Sequence, residues 1–357
     1  MKIKEKKIII FAAGTGGHIY PGISIAKELI KNNIKILWIG TAKGMENKIL
    51  SDININIKHI DFFGIRGKGI LPIIKLPFRL IKATIQAFII IKKYNPNLAL
   101  SMGGYISFPC CIASYILRKP IFIHEQNIIF GLANNILKIL SKKIILGMPL
   151  KKNSDKYKFL GNPIRYEKIV AEREFNEKRK INLLVIGGSL GAKVFNEIIP
   201  RAIYLLNKTL DCEINIIHQA GKTYTTAETQ YNNIDVEFEV KKYINSMKDA
   251  YEWCDIIICR GGAITISELM IFGVPAVIVP YPYATDDHQM KNCRYLESKE
   301  AAIVIDQKNL TDVYLAKILK SLIENSKIRK TLSENILNLK KKDATENICN
   351  LILDEIN

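Results

Sequence analysis

Short apolar runs that lead through glycine turns into helical stretches occur twice along this chain, and no other pattern limits its fold as much. Lys7–Phe11, Ile36–Ile39, Leu98–Ser101, Ile121–Ile123 and Ile144–Leu146 form the first set. Leu183–Ile186, Ile214–Ile217, Ile256–Cys259, Ala276–Val279 and Ala302–Ile305 form the second. These runs are continuous rather than alternating, as in strands buried on both faces of a parallel sheet. Helical segments lie between them. The pattern is the βαβ signature of an open, doubly wound sheet, twice over, and predicts an α/β protein of two such domains. At 357 residues the chain is long enough to give each its own core. Gly161-Asn162-Pro163 is the best linker, and the tail Asn338–Asn357 reads as a final helix.

The most informative stretch is Ile256–Glu268, IIICRGGAITISE. An apolar strand runs into Gly261-Gly262, and Ala263–Leu269 reads as the first turns of a helix, with Thr265, Ser267 and Glu268 near its start. Strand, glycine turn and helix N-terminus together make an anion site, where unpaired N–H groups and the positive end of the dipole converge. Glu268 does not fit a bare phosphate site. A carboxylate there accepts hydrogen bonds from a vicinal diol such as a ribose, or is simply an acid favoured by the helix dipole.

Three further glycine turns follow strands. Gly14-Thr15-Gly16-Gly17-His18, with Pro21 behind it, follows the first strand; Gly103-Gly104-Tyr105 and Gly187-Gly188-Ser189-Leu190-Gly191-Ala192 follow others. Ligands bind open α/β sheets at such strand ends. The first turn is not GxGxxG, and Ile39-Gly40-Thr41 places no acid after the second strand, which argues against a nicotinamide site. His18, directly after a phosphate-type turn, is a general-base candidate; the alternative is a helix-start residue that only packs.

The net charge of +18 is uneven: residues 1–160 hold 26 Lys/Arg against 7 Asp/Glu, and residues 161–357 hold 26 against 27. Between Asp61 and Glu125 there are nine basic residues and no acid. The asymmetry points to an anionic partner for the first half. Nucleic acid is disfavoured, because no aromatic–basic interleaving of the stacking type is present. The seven cysteines show no CxxC pair and no metal spacing, which fits a reducing compartment and free thiols. MKIKEKKIIIFAAG reads as a first strand, not as a signal peptide.

Read together, GTGGH with Pro21, HEQN at His124–Asn127, GNPIR at Gly161–Arg165, GGSxGA at Gly187–Ala192, HQxGK at His218–Lys222, and the Cys259–Glu268 stretch leading to Asp287-His288-Gln289 resemble the MurG family of peptidoglycan N-acetylglucosaminyltransferases. The resemblance covers nearly the whole chain. It implies a GT-B fold, two Rossmann-like doubly wound domains facing across a cleft, with residues 1–162 plus 340–357 binding acceptor and membrane and 163–339 binding UDP-GlcNAc. It implies an inverting transfer of GlcNAc to the C4 hydroxyl of MurNAc in undecaprenyl-diphospho-MurNAc-pentapeptide, on the cytoplasmic face of the bacterial inner membrane. By matching position it assigns donor contacts to Thr15, Gly16, Gly17, Asn127, Arg165, Ser189, Ile244 (by its backbone, to uracil), Ala263, Ile264, Thr265, Ile266, Ser267, Glu268 (to the ribose) and Gln289 (to GlcNAc hydroxyls). Gly14, Gly103, Gly104 and Tyr105 are the acceptor candidates. His18 is the base candidate and Glu125 a second one. The chain departs from the family's pattern at Ala13, Phe108, Phe130, Leu190 and Gly262.

No DxD pair occurs in the chain, so no metal or other cofactor is expected. Helix N-termini at Ala263 and Leu190, with Arg165, are expected to stabilise the leaving diphosphate instead. Ile70–Lys93 is apolar and basic but broken by Pro72 and Pro77, which suits a peripheral contact with an anionic membrane rather than a span. Arg79, Lys82, Gln86 and Lys93 share one face of a helix whose C-terminal part is expected to pack on the sheet. Two alternatives to the lipid-linked GlcNAc transfer are glycolipid synthesis on diacylglycerol and a non-catalytic nucleotide-sugar-binding protein.

Overall fold

Two parallel sheets carry the fold. A computed structural model describes residues 5–64, 74–150, 154–165, 173–175, 180–188 and 190–357. The chain divides into two compact units, 1–165 with 341–357, and 166–340.

In the first unit the strands are β1 (Lys7–Phe11), β2 (Lys35–Gly40), β3 (Asn56–His59), β4 (Leu98–Ser101), β5 (Ile121–Glu125), β6 (Lys143–Leu146) and β7 (Tyr157–Phe159). They lie in the order β3-β2-β1-β4-β5-β6-β7, and every pairing is parallel. Parallel neighbours need crossovers. The helices α1 (Gly16–Lys31), α2 (Glu46–Ser51), α3 (Leu76–Tyr94), α4 (Ser107–Ile116) and α5 (Leu132–Leu137) supply them. The strand order reverses between β1 and β4. The loops leaving those two strands therefore diverge and open a crevice at their C-terminal ends.

The second unit repeats the plan. Its strands β8 (Lys180–Ile186), β9 (Glu213–Gln219), β10 (Glu237–Lys241), β11 (Ile256–Cys259), β12 (Ala276–Ile278) and β13 (Ile303–Val304) lie in the order β10-β9-β8-β11-β12-β13, also all parallel. Its helices are α6 (Lys193–Asn207), α7 (Tyr224–Tyr231), α8 (Met247–Trp253), α9 (Ala263–Phe272), α10 (His288–Glu297), α11 (Asp312–Glu324) and α12 (Ser326–Asn338). The switch point here lies between β8 and β11.

The expected apolar strands are all present. Three strands carry no apolar run: β3 (NIKH), β7 (YKF) and β10 (EFEVK). Each lies at a sheet edge, where a solvated flank removes the need for one. The tail corrects an expectation. The helix predicted over Asn338–Asn357 is α13, Ala344–Ile356. Asp343 adopts a left-handed φ of 54° that separates it from α12. Ile348, Cys349 and Ile352 of α13 pack into the core of the first unit with Ile19, Ile23 and Leu29 of α1. All seven cysteines are free.

Candidate active site

In the first unit the turn after β1 and the turn after β4 meet at the switch point. Gly103 and Gly104 have φ of +91° and +82°. A Cβ at 103 would stand 3.1 Å from the His18 ring, and one at 104 would stand 3.2 Å from the Ala13 carbonyl. Glycine is thus required both for backbone shape and for close approach. The result brings His18, on the first turn of α1, to the carbonyl of Met102, with Nδ1 to O at 2.9 Å. A carbonyl oxygen only accepts, so Nδ1 carries a proton toward it. The Gln126 side chain donates to the same oxygen at 2.7 Å. The contact fixes the ring orientation, and in the neutral imidazole it selects the tautomer whose Nε2 can accept a proton, as a general base needs.

Glu125 is arranged differently. Its carboxylate is buried at the end of β5 and accepts from Asn127 N (3.1 Å), Asn127 Nδ2 (3.2 Å), Gly131 N (3.1 Å) and Asn134 Nδ2 (2.9 Å). Four donors from its own loop make it the residue that folds the loop after β5. Burial holds neighbouring His124 neutral, with its pKa lowered to about 4, against a 3.3 Å contact to the Gly161 carbonyl. Gly14 and Tyr105 touch, a Cβ at 14 lying 3.4 Å from Tyr105 Cε1, and Phe62 packs on the same ring at 6.3 Å. Thr15, Gly16 and Gly17 surround the start of α1 with no side-chain cap. The first N–H groups of that helix are therefore not taken by one. Arg165 belongs to the first unit; its guanidinium stacks on the Tyr20 ring at 4.0 Å.

In the second unit α9 starts at Ala263 behind Gly262, again with no side-chain cap and no acid in its first turn. A Cβ at Gly261 would lie 2.3 Å from Cys293 Sγ, which fixes this turn against α10. Ala263, Ile264 and Thr265 thus offer helix N-terminal N–H groups. Two further assigned residues have polar groups engaged within the helix. The Ile266 side chain is fully buried and its N–H already donates to the Gly262 carbonyl at 2.9 Å, while the Ser267 hydroxyl donates back to the Ala263 carbonyl at 2.9 Å. Both residues are buried in the second unit. Glu268 lies in the second turn, not the first. That is beyond the reach of a dipole effect that fades within one turn. It is 4 % exposed, and its Oε2 accepts from the Tyr251 hydroxyl at 2.8 Å. Gln289 is held by its own side chain, its Oε1 accepting from Tyr281 N at 2.9 Å.

The turn after β8 also differs from expectation. Helix α6 begins at Lys193, not Leu190, because Gly191 has φ of +76° and Ala192 is extended. Leu190 is 69 % exposed. Ser189 lies outside the described residues. The backbone N–H of Ile244 donates to Gln219 Oε1 at 2.9 Å, which leaves the carbonyl as the backbone group for a base. Sequence reasoning gave no role to Gln126, Gln219, Tyr251 or Arg260. Arg260, just past β11, stacks over Phe195 (4.5 Å) and Tyr281 (5.5 Å) and donates to Val279 O at 3.0 Å; burial lowers its pKa to about 10. Only the position of Arg260 beside Gly261 signalled it.

The segment expected to meet a membrane is partly described: Ile70–Ile73 lie outside the described residues. Helix α3 turns Ala83, Ala87 and Ile91 to the sheet and leaves Phe78 (77 %), Ile81 (58 %), Ile85 (54 %) and Ile89 (59 %) exposed. The C-terminal part packs on the sheet as expected, through Ala87 and Ile91, while Ile81, Ile85 and Ile89 form an outer stripe. Among the basic residues, Lys82 pairs with Asp61 at 2.5 Å and Arg79 stacks on Phe63 at 4.4 Å. No helix among the described residues is long and apolar enough to cross a membrane.

Comparisons with known proteins identify the family. The glycosyltransferase family 28 N-terminal domain matches residues 8–146, and the family 28 C-terminal domain matches residues 182–348. A UDP-N-acetylglucosamine–N-acetylmuramyl-(pentapeptide) pyrophosphoryl-undecaprenol N-acetylglucosamine transferase from Psychromonas ingrahamii is 38 % identical over 97 % of this chain and 98 % of its own. The protein of the same name from Francisella philomiragia is 38 % identical over the whole of both chains, 100 % of each. The crystal structure of Acinetobacter baumannii MurG matches with a TM-score of 0.82 at 32 % identity, covering 98 % of this chain and 99 % of that one. The calicheamicin glycosyltransferase CalG4, at 11 % identity and a TM-score of 0.72, shares the fold alone. The chain therefore belongs to glycosyltransferase family 28, has the GT-B fold, and is an N-acetylglucosaminyltransferase of the MurG family.

Proposed function

We propose that this enzyme moves GlcNAc from UDP-GlcNAc to the C4 hydroxyl of MurNAc in undecaprenyl-diphospho-MurNAc-pentapeptide, with inversion at the anomeric carbon. The observation that carries the reading is the full-length identity to relatives named for that transfer. The site geometry supports it. His18 Nε2 takes the proton of the acceptor hydroxyl as its oxygen attacks the anomeric carbon. One bond forms, from that oxygen to C1; one breaks, from C1 to the diphosphate oxygen, and UDP leaves. The N–H groups of Ala263, Ile264 and Thr265 stabilise the departing diphosphate, and the helix dipole adds to them. Glu268, oriented by Tyr251, accepts from the ribose hydroxyls, and the Ile244 carbonyl accepts from the uracil N–H. With no DxD pair in the sequence, we assign no step to a metal ion.

The enzyme works peripherally on the cytoplasmic face of the inner membrane, through the outer stripe of α3. Phe78, Ile81, Ile85 and Ile89 enter the acyl boundary while Lys75, Lys92 and Lys93 meet anionic headgroups. The test is transfer from radiolabelled UDP-GlcNAc to lipid-linked muramoyl-pentapeptide or to diacylglycerol, each with and without EDTA. Label is expected on the muramoyl lipid only, at the same rate in EDTA. Label on diacylglycerol alone overturns the acceptor assignment. Loss in EDTA restored by Mg²⁺ overturns the metal-free mechanism.

A further inference from the structure

The second unit contains a buried amide that the mechanism above does not use. Gln219 is the last residue of β9 and only 3 % exposed. Its carboxamide is used at both ends: Oε1 accepts from Ile244 N at 2.9 Å, and Nε2 donates to Gly188 O at 2.9 Å. One partner is a backbone donor and the other a backbone acceptor, so the orientation of the amide is fixed by its neighbours. The two partners lie in different loops, the glycine turn after β8 and the loop after β10. These loops flank β9 because β9 lies between β8 and β10 in the sheet.

We propose that Gln219 is a positioning residue that sets the spacing between the loop expected to meet the nucleotide base and the glycine turn after β8, where a donor contact is expected. This rests on the reading that the second unit takes UDP-GlcNAc. Ile244 and the turn around Gly188 would meet two parts of one ligand. Binding both parts at once requires their separation to be set before the ligand arrives, and the cost of setting it is otherwise taken from affinity. A side chain bonded to both loops does this; a side chain bonded to one does not.

The surroundings separate this role from folding. Gly191 and Gly221 interlock so closely that a Cβ on either would come within 2.1 Å of the other's loop. Ala220 N donates to Lys241 O at 2.9 Å and Lys222 N to Leu190 O at 3.2 Å. Asn196 Nδ2 donates to Ala220 O at 3.0 Å. These contacts hold the loop after β9 in place without Gln219, so its replacement leaves the fold standing while the spacing slackens.

The test compares wild type with Gln219→Met, which keeps the length and loses both bonds, and with Gln219→Glu. For Gln219→Met the KM for UDP-GlcNAc and the Kd for UDP rise on the order of tenfold. The kcat at saturating donor and the KM for the muramoyl lipid change less than about twofold. Gln219→Glu keeps the acceptor for Ile244 but turns a second oxygen toward the Gly188 carbonyl. Protonation restores a donor there, so the ratio of its UDP Kd to that of wild type at the same pH shrinks as pH falls from 8 to 5. The ratio for Gln219→Met stays constant. Unchanged donor KM and UDP Kd in Gln219→Met overturn the proposal. So does a fall in kcat that tracks a lowered thermal midpoint, or a Gln219→Glu ratio independent of pH. If the wild type binds no UDP, the reading beneath the proposal fails, a result distinct from all of these.

Discussion

Lowering the pH from 7 to 5 destabilises this protein through two histidines, one in each unit. His124 and His218 are both fully buried, and burial lowers their pKa values to about 4 and about 3. Unfolded, each imidazole titrates near 6.5. A folded-state pKa below the unfolded one means that stability is present above the unfolded value and is lost as pH falls toward the folded value. At pH 7 the unfolded imidazoles are mostly neutral and the penalty is small. At pH 5 they are almost fully protonated while the folded ones remain neutral, a difference of about 1.5 decades in proton binding. At about 1.36 kcal/mol per decade the loss is about 2 kcal/mol per histidine, roughly an eighth to two fifths of an ordinary domain's stability. Urea unfolding at pH 7 and pH 5 measures it, followed by a probe in each unit because two units need not unfold together. The variants are His124→Gln, which keeps a donor toward Gly161, and His218→Asn, which keeps a polar atom where Nδ1 meets the Tyr231 hydroxyl at 3.3 Å. Each variant loses about 2 kcal/mol less than wild type between the two pH values, and only in its own unit. A variant whose stability falls with pH as steeply as wild type refutes the reasoning for that histidine.

Three further outcomes follow from the site. Glu268→Gln weakens UDP binding by about 1.5–3 kcal/mol, roughly ten- to a hundredfold, while leaving uracil binding nearly unchanged; equal UDP affinities by calorimetry would remove Glu268 from the ribose. His18→Gln lowers kcat about 10²–10⁴-fold with UDP affinity intact, and a kcat near wild type assigns the base elsewhere. Phe78→Asp with Ile81→Asp costs vesicle binding about 2 kcal/mol, since each exposed side chain has roughly 1 kcal/mol of burial to gain. Lys75→Gln costs about 1 kcal/mol, and Lys82→Gln, already paired with Asp61, costs little. Vesicle sedimentation that does not distinguish these variants places the membrane face off α3.

How much was legible depended on where each residue's partners lie in the chain. The central strands announce themselves because burial on both faces demands an unbroken apolar run, as in KIIIF or IIIC. Strands β3, β7 and β10 do not, since edge positions relax that demand. His18 was legible because a titratable side chain after a glycine turn is a local pattern. Its tautomer was not, because the Met102 carbonyl lies 84 residues away. Glu268 was legible as a carboxylate out of place, and Tyr251 was not, because their bond is set by how α8 packs on α9. Gln219 depends on β9 standing between β8 and β10, a matter of strand order that no spacing in the sequence encodes. In α3 the periodicity was visible but the choice of inner face was not: Ala83 and Ala87 allow the helix to approach the sheet closely, and that leaves Ile81, Ile85 and Ile89 outside while Ile91 is buried.

The docking of α13 on α1 imposes an order on biosynthesis. The second unit is one uninterrupted segment, Tyr166–Lys340, whereas the first is closed by Lys341–Asn357, which leave the ribosome after all of it. At a translation rate of roughly 5–20 residues per second, making the second unit holds the first open for about 10–30 s. The apolar flank of α1 is uncovered all the while. The nascent chain thus presents the uncovered flank of α1 to chaperones until the carboxyl-terminal helix arrives to seal it. A stop codon after Lys340 would accordingly damage the unit encoded first and spare the one encoded second.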